Sequence, residues 1–574
     1  MVKFLLKILL LPVIRGQPFP AIQHNRRQTM WLGLLKFGIM LLTLENKNNW
    51  GKIGNNRRSG VLVPLFSVYS RKSTGIGDLE DLKLVVDWCA KTGNSIMQLL
   101  PMNEVGNTFC PYESISSFAL EPMYAAIERN NPSPPFLPNH GGGKSAGRVD
   151  YRIKEAKIKN LREIYLEENN RNQAEVDKFR GKNAWWIDDF GLFKALKIHH
   201  ENKPWYEWPD TYQNRDTASI ELFRSEHEAE INFRIWTQWL LYKQFKDARA
   251  YAAKKGILLM GDLPVLSSRD SADVWAHPEF FKLDFAAGAP PDMFSRKGQR
   301  WGRPGMPTYN WERIAGDNYR YLKEKLKYAG EFYDILRIDH AVGLFRIWSI
   351  PFREPLENEG ANGSFDPPDE RGWEEHGRKI LSVMLDSTEM LLCGEDLGII
   401  PAACPRTMEA LSVPGIDVQR WTKDWNGTQD FLPPGNYRFL SVATLSTHDT
   451  TNWNTWWEKE STREEKEKFW KHLKLDGPVR EIADPEVTGA ALKFILKTKS
   501  IFSIQMIFDW LNLVGTGKLE GDILAGDQSW FRINTPGTVG AENWSALLPI
   551  PLEDLLNHEV CAKIRNLVAE SGRT

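Results

Sequence analysis

Cysteine is scarce in this chain, long apolar runs are missing, and neither sign of charge is in excess; each absence removes a class of protein. The five cysteines, Cys89, Cys110, Cys393, Cys404 and Cys561, are scattered over 574 residues without a Cys-x-x-Cys pair. That spacing excludes a disulfide framework and a thiolate metal site, and it predicts free thiols in a reducing, cytoplasmic setting. Lys and Arg number 73 against 74 Asp and Glu. No positive surplus is available to collect the phosphates of nucleic acid or anionic lipid, so neither is expected as a partner. Met1–Ile14 and Met30–Leu44 are apolar but broken by Lys3, Lys7 and Lys36, and fall short of the roughly 20 residues of a membrane span. Leu11-Pro12-Val13-Ile14-Arg15 offers no small-residue cleavage site. Residues 1–57 are therefore expected to be a loose extension or a mis-assigned start rather than a targeting signal.

What the chain does have is a rhythm. From Gly60 onward short apolar runs alternate with longer amphipathic ones: Val61–Phe66, then Leu79–Ala90, then Ser95–Leu100. The pattern returns with a helix over Phe233–Lys255, ended by Gly256, and a strand at Ile257–Met260. Further strand-like runs follow at 334–338, 390–393, 416–418, 440–445 and 501–508. Many short strands separated by helices predict an α/β fold, a parallel (β/α)₈ TIM-type barrel with helical insertions spanning 58–574. A doubly wound sheet is the alternative. A charged, Pro/Gly-interrupted stretch at about 125–230, including Ile158–Arg171, predicts a mainly helical insertion.

In a parallel barrel the chemistry gathers at the carboxyl ends of the strands. Four carboxylates directly follow apolar strand runs: Asp262, Asp339, Glu395 and Asp449. One such Asp is ordinary, because Asp caps helices and starts turns. Four meeting at one barrel mouth point to a paired-carboxylate mechanism, as glycosidic cleavage requires, with one group ionised and one protonated. The 23 tryptophans suit this, since a flat indole matches the apolar face of a sugar ring, although most are expected in the core.

Several motifs then carry a resemblance. Ser70–Leu79 (SRKSTGIGDL), Gln98–Asn103 (QLLPMN), Gly261-Asp262-Leu263-Pro264, Ser271–Trp275 (SADVW), Arg337-Ile338-Asp339-His340 and Glu395-Asp396-Leu397-Gly398 stand in order. Together they resemble the amylomaltase/disproportionating-enzyme family of 4-α-glucanotransferases, glycoside hydrolase family 77, from about Gly60 to Trp544. The resemblance implies retaining transfer of an α-1,4-glucan segment from a maltodextrin donor to the 4-hydroxyl of glucose or another glucan, with no cofactor and no metal. It implies Asp339 as the nucleophile that forms a covalent glycosyl-enzyme, Glu395 as the acid/base, and Asp449 as the carboxylate gripping sugar hydroxyls. Arg337 would hold Asp339 ionised and aimed, and His448 would donate to a hydroxyl. The segment Pro290–Gly302 is similar to the family's loop over bound glucan, giving Asp292, Phe294, Gln299 and Trp301 as substrate contacts; Tyr112, Asp262 and Asn534 match family positions facing the sugar. An amylase-type hydrolase is the alternative with the same chemistry.

Three departures from the family pattern are visible. After Asp339-His340 stands Ala341-Val342-Gly343, without the usual aromatic and cation; after His448-Asp449 stands Thr450-Thr451-Asn452; and Arg303–Tyr309 is longer than usual. Gly141–Ser145 mimics a phosphate loop but has Pro138 where its first glycine belongs and no preceding strand. His199-His200 and Glu374-Glu375-His376 lack zinc spacing. Trp185, Trp186, Trp205 and Trp208 are expected to pack within the insertion, and the Lys/Glu run at 458–471 to form a solvated helix face.

Overall fold

The computed structural model describes residues 46–127, 147–168, 171–292, 295–515 and 531–574. The chain divides into two compact units, 1–55 and 56–574. Of the first, only the end is described, with the helix Lys47–Ile53; the rest of the expected extension to residue 45, the phosphate-loop mimic at 141–145 and Phe294 lie outside the described residues.

Eight parallel strands form the centre of the second unit: β1 (Arg58–Leu62), β2 (Ile96–Gln98), β3 (Leu258–Leu263), β4 (Ile335–Ile338), β5 (Leu391–Gly394), β6 (Gly415–Val418), β7 (Ser441–Thr444) and β8 (Phe502–Met506). Apart from the first residues of β1 and β3, every strand residue is buried. Burial on both faces is why these strands read as continuous apolar runs rather than alternating ones. Their order is β5-β4-β3-β2-β1-β8-β7-β6, all paired in parallel. Consecutive strands are neighbours all the way, and β1 lies beside β8. That is the cyclic order of a barrel and excludes the doubly wound alternative, whose order reverses at a switch point. Between β5 and β6 the ring is drawn together by the Gly394 N–H donating to Pro414 C=O at 2.8 Å and the Ile416 N–H donating to Asp396 Oδ1 at 2.8 Å.

Two connections are enlarged. Between β2 and β3 run the helices Ile153–Glu168, Gln173–Lys182, Ile187–His199, Thr217–Glu226 and the 27-residue Glu228–Lys254. Trp186, Trp205 and Trp208 are buried there, and Trp185 stacks on His277 at 4.7 Å, so these rings pack as expected. The connections after β3 and β4 together build a four-stranded antiparallel sheet, ordered Ser364–Asp366, Ile347–Pro351, Phe285–Ala289, Gln299–Arg300. Because it grows from the carboxyl ends of two neighbouring strands, this sheet stands at the mouth where the carboxylates lie.

Candidate active site

The site is an extension of the barrel ladder. Asp262 on β3 is the register partner of Arg337 on β4, and Gly394 on β5 pairs with Ile338. The ladder runs one residue past the strands: the Asp339 N–H donates to Leu263 C=O at 3.0 Å, and the Glu395 N–H to Ile338 C=O at 2.9 Å. Asp339 and Glu395 thus leave adjacent strands at the same height. Gly261, beside Asp262 on β3, makes room for the Tyr333 ring, since a Cβ there would fall 2.5 Å from it.

Arg337 is the hub. Its Nη1 lies 2.7 Å from both Asp262 oxygens and 3.0 Å from Asp339 Oδ1, while Nη2 lies 3.9 Å from Glu395 Oε2. The Tyr112 hydroxyl donates to Asp262 Oδ2 at 2.8 Å. Asp262 has no exposed side-chain surface, and it fixes the guanidinium rather than reaching outward. Burial opposes the charge of Arg337, but the surrounding carboxylates hold it well above its usual range.

Arg337 is shared: its closest contacts are with Asp262, and it also bonds Asp339, whose proton affinity it lowers. Burial pushes the Asp339 carboxyl up to about 7; Arg337 opposes the shift, and Asp262, Glu395 and Asp449 add to it. Burial raises Glu395 as well, against Arg337 and two backbone donors, the His340 N–H at 2.8 Å to Oε2 and the Leu397 N–H at 2.9 Å to Oε1. Two crowded carboxyls near one cation titrate as a pair, so the proton belongs to both. His340 can turn its N–H onto Glu395 because its backbone is left-handed, with φ 42°, a strained setting for a residue other than glycine.

Asp449, beyond β7, has the opposite character. Burial in the cleft would raise it, yet His448 and the Asn534 side chain bring it down to about 2. Asn534 Nδ2 donates to Asp449 Oδ1 at 2.7 Å. His448 Nε2 lies 3.2 Å from Oδ2, close enough for an ion pair though off the line of a hydrogen bond. The His448 ring stacks on Tyr112 at 5.1 Å, and Trp544 packs against both. The unusual residues after Asp449 hold its loop: the Thr447 N–H bonds Thr450 Oγ1, Arg420 bonds Thr451, and Asn452 caps a short helix.

Of the loop residues, Trp301 stands beside His340, the residue after Asp339, meeting its ring edge-on at 4.8 Å, and donates from Nε1 to Gln299 Oε1 at 3.2 Å. It thus supplies an aromatic beside the Ala341-Val342 turn that lacks one. Asp292 Oδ1 accepts the Ser295 N–H at 2.6 Å, closing the loop on itself. Sequence reasoning missed the backbone grip on Glu395 and the backing of Tyr112 by Trp544. The first depends on a turn conformation with no residue signature; the second depends on residues more than 400 positions apart.

The chain matches the family model of 4-alpha-glucanotransferases over residues 63–551. The chain belongs to the 4-alpha-glucanotransferase family. It is 35% identical over 524 residues to a 4-alpha-glucanotransferase of Chlamydia pneumoniae, covering 89% of this chain and 95% of that one. A 4-alpha-glucanotransferase of Thermus thermophilus is 30% identical over 80% of this chain and 91% of its own length. The solved amylomaltase from Streptococcus agalactiae in complex with acarbose superposes with a TM-score of 0.75 at 26% identity, covering 90% of this chain and 99% of that chain. Members of this family are glycosyl-transferring enzymes, and this barrel is of their TIM type.

Proposed function

We propose that this glucanotransferase moves an α-1,4-glucan segment from a maltodextrin donor to the 4-hydroxyl of glucose or another glucan, with retention, through Asp339 and Glu395. The observation that carries the reading is the single guanidinium of Arg337, bonded to Asp339 and facing Glu395, beside a carboxyl pair whose protons are both held more tightly than usual. A pair that carries one proton supplies what the first step needs. Glu395 gives the proton to the leaving glycosidic oxygen as an Asp339 oxygen bonds to the anomeric carbon and that C–O bond breaks. In the second step Glu395 takes the proton from the acceptor 4-hydroxyl, whose oxygen attacks the same carbon and releases Asp339. The two backbone donors on Glu395 keep its carboxyl in place through both steps.

Asp449, held low, is a permanent acceptor for two sugar hydroxyls in the distorted ring, with His448 as a neighbouring donor. Tyr112, Asp292, Gln299 and Trp301 line the donor groove, and Asp262 acts through Arg337. Phe294, outside the described residues, is a further substrate contact in this reading. Residues 1–57 are an N-terminal extension and 58–574 the catalytic barrel, with the helical stretch at about 125–230 as its insertion.

Incubation with maltotriose tests the reading. The expected outcome is a ladder of longer maltodextrins with free glucose; accumulation of glucose and maltose with no longer product would replace transfer by hydrolysis.

A further inference from the structure

The connection from β6 to β7 carries the most exposed tryptophan of the described residues, Trp425, with 58% of its surface open. A single exposed apolar residue is ordinary. Trp425 differs because its ring is fixed. Its Nε1 donates to Trp421 C=O at 2.9 Å. Lys423 Nζ stands 5.5 Å from the ring centre and is itself pinned to Glu465 at 2.6 Å. The turn is tight: Lys423 bridges Phe431, the Asp424 N–H donates to Asp430 C=O at 2.9 Å, and the Gln429 N–H to Asp424 C=O at 3.0 Å. The cation backs the ring, and the indole keeps a wide area open to solvent. Exposed residues with amide and carboxylate groups, Asp424, Asn426, Gln429 and Asp430, share its turn, Asp424 and Asp430 each also accepting a hydrogen bond from Thr428.

A rigid flat ring sharing its turn with groups that bond hydroxyls is the chemistry of a carbohydrate platform: the apolar face of a sugar stacks on the indole, and those groups hold its edge. Its position adds to this. The loop leaves the carboxyl end of β6, between β5, which leads to Glu395, and β7, which leads to Asp449. It therefore stands on the catalytic face, outside the cleft.

We propose that Trp425 is a stacking platform for the outer part of a long α-glucan, a binding site additional to the cleft. The proposal rests on the glucan reading above. A chain long enough to reach both places gains a second contact at high effective concentration, whereas a trisaccharide gains nothing from it. The platform therefore makes the enzyme favour long glucans.

The test compares wild type, Trp425→Ala and Trp425→Phe with amylose and with maltotriose as donors. The ratio of kcat/KM for amylose to that for maltotriose is expected to fall about fivefold in the alanine variant and less than twofold in the phenylalanine variant. Binding is read separately, by retardation in amylose-containing gels in the Asp339→Asn background, where adding Trp425→Ala is expected to weaken it. An unchanged ratio, or undiminished retardation, overturns the proposal. If wild type forms no ladder from maltotriose, the transfer reading fails instead, and the gel still decides whether Trp425 binds glucan.

Discussion

Two regions of one mouth hold carboxylates in opposite states. At the β4–β5 edge burial raises both Asp339 and Glu395, with Asp262, Glu395 and Asp449 adding to the rise of Asp339 and Asp396 to that of Glu395. At the β7 end, Asp449 has an amide donor and an imidazole to itself and is lowered to about 2. The residue types are nearly the same, so the environment decides which carboxyl can carry a proton and which stays anionic. The raised pair suits bond making and breaking; the lowered residue suits steady acceptance of hydroxyl hydrogen bonds.

The comparison breaks most sharply at the pair. Asp339→Asn and Glu395→Gln are each expected to lower kcat on the order of 10⁴-fold. They differ with an α-maltosyl fluoride donor, whose leaving fluoride needs no proton. Glu395→Gln should recover formation of the glycosyl-enzyme, seen as a fluoride burst, and Asp339→Asn should not. The reverse pattern would exchange the two roles.

Asp262→Asn comes next. It weakens the buried pair with Arg337 and frees the guanidinium for Asp339, which also loses a negative neighbour. Losing one partner of a buried ion pair costs about 3–5 kcal/mol, and the lost aim should lower kcat/KM by roughly 10²-fold. The pH profile gives a readout that mere destabilisation would not move. In wild type the reactive pair needs one proton, which is lost as pH rises, so kcat/KM should decline above about 7, the value to which Asp339 is raised. Removing Asp262 lowers the proton affinity of Asp339, and the alkaline limb should shift to lower pH. A limb that stays in place would show that Asp262 does not tune the pair.

The same division marks what could be read from the sequence. Each of the eight strands overlaps an apolar run, because strands buried on both faces are mostly apolar, although β1 begins at Arg58, ahead of its run; Asp339 and Glu395 stand directly after their strands and Asp449 five residues beyond β7. What the sequence could not carry were relations made in three dimensions. Arg337 is two residues from Asp339, yet its closest partner is Asp262, 75 positions away across the ladder. Nothing in the run Arg-Ile-Asp-His announces that His340 turns left-handed and gives its N–H to Glu395. The rise of Asp339 has the same origin, since its burial and its neighbours Asp262, Glu395 and Asp449 are set by the fold.

The mildest perturbation falls on the other side of the mouth. Asn534→Ala removes the 2.7 Å amide donor to Asp449 Oδ1 but leaves His448 beside Oδ2. A hydrogen bond to a charged group contributes about 1.5–3 kcal/mol, and His448 retains part of the restraint, so kcat/KM should fall about tenfold. If Asp449 grips the sugar in its distorted form, the loss should appear mainly in kcat, because an interaction made more strongly in the transition state is the one weakened. A rise in KM at constant kcat would mean that Asp449 holds the relaxed and distorted sugar equally. The pH profile should stay as in wild type, because Asn534 touches the lowered carboxylate and not the raised pair; a shifted alkaline limb would show that the two regions titrate together.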